Sequence, residues 1–370
     1  MGGTEPFKHI VISGTSIQIY NETSSSYDTY SDSTDVIPCN QEESKVFDRH
    51  FLPTLYSLLF LLGLAGNILV MFVLLRNKRK LQSTDIFILH LSVADILLVL
   101  TLPFWASQAV NGWLFGSIWC KIVGSLFKVN FYAGIFLLAC ISWDRYLSVV
   151  YAVQMFKKHR SDLIHWICLV VWCVCIALCI PDALYFDAVL EYRTNITECQ
   201  PNFPDASSRT WKVALTLIFH IVGFLLPFCG MLYCYSHIFL TLLRSHGFKK
   251  QRALQVVVAV VVAFFLCWTP YNVVAFINTL QMLDIVSSSC SLDKNIDNAL
   301  SVTSGLCYFH CCLNPFLYVF IGVKFKNYFI DLLRQASCIC PQFMERYVKR
   351  QPSARSSTWS ESGDTSLSKI

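Results

Sequence analysis

This chain has little charge for its length, and long stretches of it carry almost none. Only 14% of its 370 residues are Asp, Glu, Lys or Arg, whereas 55% are hydrophobic, and the mean hydropathy is +0.50. Soluble domains average about 25% charged residues. The composition therefore excludes an ordinary soluble domain.

Other absences narrow the function. No set of Cys and His has the spacing of a zinc site, and no paired nucleophile and base lie at one depth of the apolar runs, so we predict that the chain is not an enzyme. The segment before the first apolar run lacks the apolar core of a signal peptide. We therefore expect that first run to act as its own insertion signal.

Seven long apolar runs fill most of the sequence. A helix that crosses about 30 Å of hydrocarbon needs about 20 mainly apolar residues. The runs that qualify are Phe51–Leu75, Ile86–Val110, Ile118–Leu147, Leu163–Leu184, Val213–Leu243, Ala253–Leu283 and Asn298–Val323. They predict an all-α membrane protein, built as a bundle of seven transmembrane helices.

The remaining segments divide the chain further. Residues 1–50 are predicted to form a disordered, acidic tail outside the cell, and residues 51–323 form the bundle. Residues 324–340 place aromatic residues and Leu on one helical face and basic residues on the other, which predicts a short eighth helix in the membrane interface. Residues 341–370 are rich in Ser and Thr and form a second tail. Cys338 and Cys340 suit S-palmitoylation, although unmodified thiols fit equally well.

Basic residues are concentrated in the short loops after the first, third and fifth runs. These residues are Arg76, Lys78, Arg79, Lys80, Lys157, Lys158, Arg160, Arg244, Lys249, Lys250 and Arg252. Short loops rich in Lys and Arg stay in the cytoplasm. We therefore expect a multi-pass plasma-membrane protein with its N-terminus outside the cell and its C-terminus inside.

Four of the 17 cysteines fall at the predicted outer face, where the compartment is oxidising. Cys39 precedes the first helix and Cys290 precedes the seventh, and these helices are neighbours in a ring of seven. A Cys39–Cys290 disulfide is therefore sterically natural. That leaves Cys120, at the start of the third helix, to pair with Cys199 in the loop after the fourth.

Polar residues inside the runs form one candidate site. Ionisable groups in a membrane are costly and usually functional. Asp95 lies midway along the second run, and Asn67, Asn130 and Asn314 lie at comparable depths in the first, third and seventh. This set suits either a small allosteric cation such as Na⁺ or hydrogen bonds between helices. Both interpretations stay open, and we expect no other metal or cofactor.

The third run ends in Asp144-Arg145-Tyr146, at the predicted cytoplasmic mouth. Arg145 follows Cys120 by 25 residues, which is about 37 Å along a helix. Asp144 can hold the guanidinium of Arg145 until a cytoplasmic protein replaces it. A purely structural ion pair is the alternative.

Two prolines inside the runs have distinctive neighbours. Trp268 and Pro270 lie in the sixth run, and Asn314, Pro315 and Tyr318 lie in the seventh. Proline kinks a helix because it removes a backbone hydrogen bond. Such kinks beside bulky side chains predict elements with two packings, as a conformational switch requires.

Together these motifs resemble the rhodopsin-like (class A) G-protein-coupled receptors along nearly the whole chain. Within that class the chain resembles the chemokine receptors. The motifs that carry this resemblance are Thr101-Leu-Pro103, Trp113-Leu-Phe-Gly116, Asp144-Arg-Tyr-Leu-Ser-Val-Val-Tyr-Ala152 and the four outer cysteines. Three further segments resemble the CXC branch of that family: 51–60, 130–134 and 301–305.

The resemblance implies a receptor for CXC chemokines, which are small basic proteins, coupled to a Gi-type heterotrimeric G protein and to cell migration. It also implies receptor kinases, arrestins and membrane lipid as partners, and no nucleic acid. The alternative is a decoy receptor that binds chemokine without activating a G protein. The intact Asp144-Arg145-Tyr146 and Asn314-Pro315 motifs favour the signalling receptor.

The resemblance also implies a set of pocket residues. Positions that match the family are Tyr56, Trp105, Tyr271, Tyr308 and Asp182. Ser304 stands where many chemokine receptors have Glu, and Lys128 is an unusual positive charge in the upper third helix. We therefore expect Asp182 and Asp297 to replace the missing acidic anchor for a basic ligand.

Two kinds of modification are predicted on the outer side. Asn21 and Asn195 each begin an N-glycosylation sequence. Tyr27 and Tyr30 lie among acidic residues, the local context that favours tyrosine sulfation. Sulfated tyrosines would make the acidic tail more negative, and we expect this tail to bind the basic chemokine first.

Overall fold

The computed structural model describes residues 10–13, 16–19, 42–76, 81–151, 160–191, 196–204, 208–244, 251–287 and 289–321. Its helices are α1 Glu42–Arg76, α2 Ser83–Val99, α3 Leu102–Asn111, α4 Gly116–Val150, α5 Arg160–Tyr185, α6 Ser208–His220, α7 Leu226–Arg244, α8 Gln251–Met282 and α9 Cys290–Ile321. A five-residue π-helical segment, Ile221–Leu225, joins α6 to α7.

These helices make seven spans, which confirms the predicted bundle. The second span consists of α2 and α3 around a turn at Leu100, and the fifth consists of α6, the π segment and α7. Six spans are long and apolar enough to cross a membrane. The seventh span, α9, begins with a more polar portion that contains Asp293, Lys294 and Asp297. The predicted eighth helix lies outside the described residues.

Apolar side chains lie both inside and outside the bundle, as a lipid environment allows. In the centre, Phe131, Phe264 and Trp268 are almost completely buried. On the outside, Leu61 of α1 and Trp166 of α5 are 64% and 65% exposed. In water such exposed side chains would favour aggregation, so the surface itself indicates a membrane.

A β-hairpin covers one end of the bundle. Strands β3 Phe186–Glu191 and β4 Ile196–Pro201 pair antiparallel, with Ala188 opposite Cys199. Two short strands, β1 Ile10–Ser13 and β2 Ser16–Ile19, precede them in the chain. The predicted Cys120–Cys199 disulfide is present, with Cα atoms 5.4 Å apart, and it fastens β4 to the start of α4. We call this the hairpin end of the bundle, and the opposite end the Arg145 end.

Two short strands lie in the N-terminal segment. Strands β1 Ile10–Ser13 and β2 Ser16–Ile19 pair antiparallel, with Ile10 opposite Ile19, in a stretch that we expected to lack regular structure. This segment forms a compact unit of its own. The strand signals are the β-branched run Ile10-Val-Ile12 in β1 and the alternation of Ile with polar residues in β2, which the acidic composition of the tail obscured.

Gly112 is held against the hairpin by a backbone conformation that only glycine adopts readily. Its φ is +78°, and the next residue, Trp113, donates its N–H to Thr197 O of β4 at 2.6 Å. A Cβ at Gly112 would overlap the side chain of Ile196 and lie 2.9 Å from Thr197 O. Any substitution here therefore strains the backbone and pushes the hairpin outward.

We expect Gly112→Ala to lower the stability of the protein by about 1–3 kcal/mol from the backbone strain alone, with the overlap adding to it. Thermal unfolding of the purified protein measures the change. Gly116→Ala is a matched control, because Gly116 has a similar φ of +74° and no described atom within 4 Å of its Cβ position. Equal destabilisation of both variants would show that the contact with β4 contributes nothing.

Candidate functional site

The aromatic side chains that were predicted to line a ligand pocket form one cluster towards the hairpin end, which we call the pocket cluster. Phe127 of α4 lies at its centre, with its ring centroid 5.5 Å from Tyr308, 5.4 Å from Tyr271 and 5.3 Å from Trp268. Tyr56 of α1 meets Tyr308 edge-on at 5.3 Å. The structure therefore brings Tyr56, Tyr271 and Tyr308 together, and their role in ligand binding stays a prediction. Sequence reasoning missed Phe127, which nothing distinguishes from the other 27 phenylalanines.

Trp105 and Ser304 have different surroundings. Trp105 packs against Trp113, 5.9 Å between centroids, beside the Cys120–Cys199 disulfide, and its Nε1 has no partner among the described residues. Ser304 donates its hydroxyl to Ser301 O at 2.9 Å. Its hydroxyl proton is thus used within α9, so Ser304 offers a ligand its oxygen lone pairs rather than a charge.

The two predicted acidic anchors differ in availability. Asp297 is half-buried in the second turn of α9. Asp182 is 4% exposed and forms an ion pair with Lys128, whose Nζ lies 2.6 Å from Asp182 Oδ1. The cation of this pair belongs to the protein itself. Lys128 therefore already neutralises the charge of Asp182, which makes it a weaker anchor for a cationic ligand group, and the sequence did not reveal this pairing.

Charged side chains at the start of α4 connect this helix to α5 and to strand β3. Lys121 donates to Leu184 O at 2.6 Å, and this bond ties α4 to the last turn of α5. The pKa of Asp187 is lowered, mainly by a hydrogen bond from Ser117 and further by the N–H of Ala188 and the charge of Lys121. Asp187 therefore stays ionised in mildly acidic solution and keeps these contacts.

A polar cluster occupies the middle of the bundle. Asp95 is 1% exposed and accepts hydrogen bonds from Asn314 at 2.8 Å and Asn130 at 3.2 Å. Asn67, which we also expected in this cluster, donates instead to the backbone oxygens of Gly63 and Cys311, both at 2.9 Å. The Oδ1 atoms of Asn67 and Asn314 have no partner among the described residues.

Two residues that sequence reasoning missed complete this cluster. His310 and Cys311 each have a ligand atom within 4.8 Å of the other and of Asp95. His310 is 1% exposed, and neither of its ring nitrogens has a partner among the described residues. The sequence did offer one signal: His310 is an ionisable residue inside an apolar run, one turn before Asn314.

Trp268 connects the pocket cluster to the helix kink below it. It is fully buried, and its ring lies 4.7 Å from Phe131 and 5.7 Å from Phe264. One turn later, Asn272 donates to Trp268 O at 3.0 Å and contacts His220 of α6, also at 3.0 Å. Pro270 lies inside this turn of α8. The kink is therefore held between the pocket and the fifth span.

The Arg145 end has the predicted ion pair and an additional contact. Arg145 lies 3.3 Å from Asp144 and also bonds to Thr84 at the start of α2. Tyr146 is buried and lies 3.4 Å from the hydroxyl of Tyr151. Among the described residues, this contact with α2 is what holds Arg145 inside the bundle.

The other switch residues are also buried near this end. Tyr318 is 3% exposed, and Pro315 lies inside α9 directly after Asn314. Ser142 donates to Tyr235 of α7 at 2.9 Å, which links α4 to the fifth span one turn before Arg145. Asn314, Pro315 and Tyr318 all belong to α9, so this helix joins the polar cluster to the Arg145 end.

Several predicted residues lie outside the described residues, and their roles stay predictions. They are Tyr27, Tyr30, Asn21, Asn195, Cys39, Cys338 and Cys340. Cys290 is disulfide-bonded in the structure, and its predicted partner is one of these residues.

The fold, the disulfide and the buried motifs define a seven-helix receptor. Residues 66–318 match the family described as 7 transmembrane receptor (rhodopsin family), and the chain belongs to that family. The chain is 48% identical to C-X-C chemokine receptor type 3 of Homo sapiens over 351 residues, which cover 93% of each chain. The same receptor of Rattus norvegicus is 48% identical over 91% of this chain and 90% of the relative.

A second receptor type is more distant. C-X-C chemokine receptor type 2 of Homo sapiens is 40% identical over 299 residues, which cover 81% of this chain and 82% of the relative. At this identity and coverage the chain belongs to the chemokine receptors, and it resembles type 3 more than type 2. This confirms the predicted family, and also the prediction that the chain is not an enzyme, because these relatives are receptors.

Proposed function

We propose that this protein is a receptor for CXC chemokines that activates a Gi-type G protein and promotes cell migration. The observation that carries the proposal is the continuous path of buried contacts from the pocket to the Arg145 end. Phe127 touches both the pocket tyrosines and Trp268, and Trp268 is one turn from Pro270. A ligand that displaces Phe127 or Tyr271 therefore acts directly on the kink of α8.

In this proposal the hairpin end faces the outside of the cell and the Arg145 end faces the cytoplasm. The basic loops at the Arg145 end and the acidic N-terminal tail support this orientation. A disulfide at the hairpin end supports it as well, because disulfides persist in oxidising compartments.

Activation would exchange the partners of Arg145. In the described state Asp144 and Thr84 hold the guanidinium. Movement of α8 about Pro270 would open the bundle there and let Arg145 contact the G protein instead. Phosphorylation of the Ser/Thr-rich tail by receptor kinases, followed by arrestin binding, would end signalling.

We also propose that the polar cluster holds Na⁺ in the resting receptor. Hard cations take oxygen ligands, and the carboxylate of Asp95 lies beside Asn314, whose Oδ1 has no partner among the described residues. Asn130 brings a further amide group to the cluster. The cation would stabilise this packing of α9 against α2.

G-protein activation in membranes from cells that express this chain tests the main proposal. We expect one or more members of a panel of CXC chemokines to stimulate nucleotide exchange on Gi-type subunits. Chemokine binding without any exchange would instead identify a decoy receptor. No binding by any member would refute the chemokine assignment.

Capture of the ligand by the acidic tail leads to a separate prediction. Tyr27→Phe with Tyr30→Phe should slow chemokine association, because the tail loses sulfate charges that attract the basic ligand. The effect should shrink as salt rises, since the Debye length is about 8 Å at physiological ionic strength. Association rates measured at two salt concentrations check this, with the parent chain as the reference. Rates equal to those of the parent at low salt would contradict it.

A further inference from the structure

An apolar groove runs along the outside of the bundle between α7 and α8. Its volume is about 1020 Å³. Its wall on α7 extends from Phe228 to Leu242, and its wall on α8 extends from Val258 to Val274. At 1.5 Å per residue the α7 wall is about 21 Å long. One leaflet contributes about 15 Å of hydrocarbon, so the groove is longer than one leaflet is thick.

Phenyl rings hold α7 and α8 together within the groove wall. Phe228 of α7 meets Phe265 of α8 edge-on at 4.7 Å, and Phe224 of the π segment lies 5.5 Å from the same ring. Towards the Arg145 end the α8 wall continues with the short side chains of Val261 and Val258. These valines do not reach across the space that the phenyl rings open.

The medium outside the groove is lipid. Both walls belong to spans that are apolar and long enough to cross a membrane. Groove residues are widely exposed on the outer side: Leu232 is 51%, Phe239 62% and Leu266 70% exposed. The groove therefore opens sideways into the hydrocarbon and not into water.

Water is a poor occupant of this groove. Of the lining residues only Tyr235 and Thr269 have polar side chains, and the hydroxyl of Tyr235 is hydrogen-bonded to Ser142 inside the bundle. A buried water needs about two to four polar partners. An empty groove would leave its walls without dispersion contacts. A hydrocarbon chain supplies these contacts and requires no polar partner.

We propose that this groove binds one acyl chain of a phospholipid from the leaflet at the Arg145 end. Leu242 lies two residues before the end of α7 at Arg244, so the groove reaches the membrane interface, where a head group remains. In the sequence, Lys249, Lys250 and Arg252 follow the end of α7 and accompany the start of α8. Such basic segments attract anionic lipids, so the occupant is a chain of an anionic phospholipid.

The bound chain lies against the movable part of the receptor. Thr269 and Pro270 belong to the groove wall, so an occupant contacts α8 at its kink. The bound chain therefore sets the distance between α7 and α8 in the part of the groove that lies between Pro270 and the Arg145 end.

Photocrosslinking tests the site without requiring a ligand or a G protein. The full-length receptor is placed in nanodiscs that contain phosphatidylserine with a diazirine in its acyl chain, and adducts are mapped by mass spectrometry. We expect adducts to concentrate on α7 and α8 between Phe228 and Leu242 and between Val258 and Val274. Adducts spread evenly over the exposed residues of all seven spans would overturn the proposal.

Two variants make the test specific. Val262→Trp places a large side chain in the groove, where Val262 is 49% exposed, and should reduce these adducts at least about five-fold because a filled void has no room for a chain. Val170→Trp is the matched control, because Val170 of α5 is 58% exposed and does not line the groove. Unchanged adducts in Val262→Trp would refute the site. Leu266→Trp is a second filling variant in case the first fails to fold.

Competition identifies the occupant. Unlabelled phosphatidylserine should displace the probe more effectively than phosphatidylcholine with the same chains, because of the basic residues at the interface. Equal competition would contradict the choice of an anionic phospholipid. Displacement by cholesterol but not by either phospholipid would assign the groove to a sterol and overturn the proposal.

Discussion

Arg145→Ala should lower chemokine-stimulated G-protein activation at least about tenfold, because hydrogen bonds to a charged group contribute about 1.5–3 kcal/mol each and the G protein would lose them. Chemokine binding should change little. Arg145 lies about 37 Å along α4 from Cys120 at the hairpin end. Nucleotide exchange at matched surface expression measures the first effect, and ligand saturation measures the second.

Arg209→Ala is the control for this experiment. Arg209 pairs with Asp284 at 2.5 Å, but both side chains are exposed, at 57% and 81%, so the pair contributes about 0–1 kcal/mol. Nucleotide exchange per bound ligand should therefore stay unchanged in this variant. Normal exchange in Arg145→Ala would show that Arg145 only stabilises the fold.

Lys128→Met should lower the free energy of unfolding by about 3–5 kcal/mol, because it leaves the carboxylate of Asp182 buried without its cation. The pair is close, at 2.6 Å, and the side chain of Asp182 is only 5% exposed. Thermal unfolding of the purified receptor measures the loss.

The double variant Lys128→Met with Asp182→Leu separates pairing from packing. Replacing both charges by apolar groups removes the unpaired carboxylate, and such replacements are often neutral. We therefore expect the double variant to be more stable than Lys128→Met alone. Additive destabilisation by the two substitutions would contradict the coupling that the ion pair implies.

The Lys128–Asp182 pair also bears on ligand chemistry. Lys128 already neutralises the charge of Asp182, so the pair lowers the gain from binding a basic N-terminus at this position. Asp297, half-buried in α9, is the more accessible of the two predicted anchors. Ligand binding to Lys128→Gln would show whether release of Asp182 strengthens the response to more basic chemokines.

The sequence by itself determined the bundle of seven helices, because spanning a bilayer imposes length and apolarity on each helix separately. It also determined the family, since Asp144-Arg145-Tyr146 and Asn314-Pro315 are short contiguous motifs. The Cys120–Cys199 disulfide followed from the side of the membrane on which each residue falls. These features depend on local composition and order along the chain, which a sequence shows directly.

Only the tertiary structure decided which side chains meet. It paired Asp182 with Lys128, directed Asn67 to the backbone of α9 and placed His310 beside Asp95. It also centred the pocket on Phe127, and it separated α7 from α8 below Phe228. Apolarity on all sides removes the amphipathic pattern that would show which face of a helix is inside. The rotation of each helix, and therefore each contact, is fixed by packing against its neighbours.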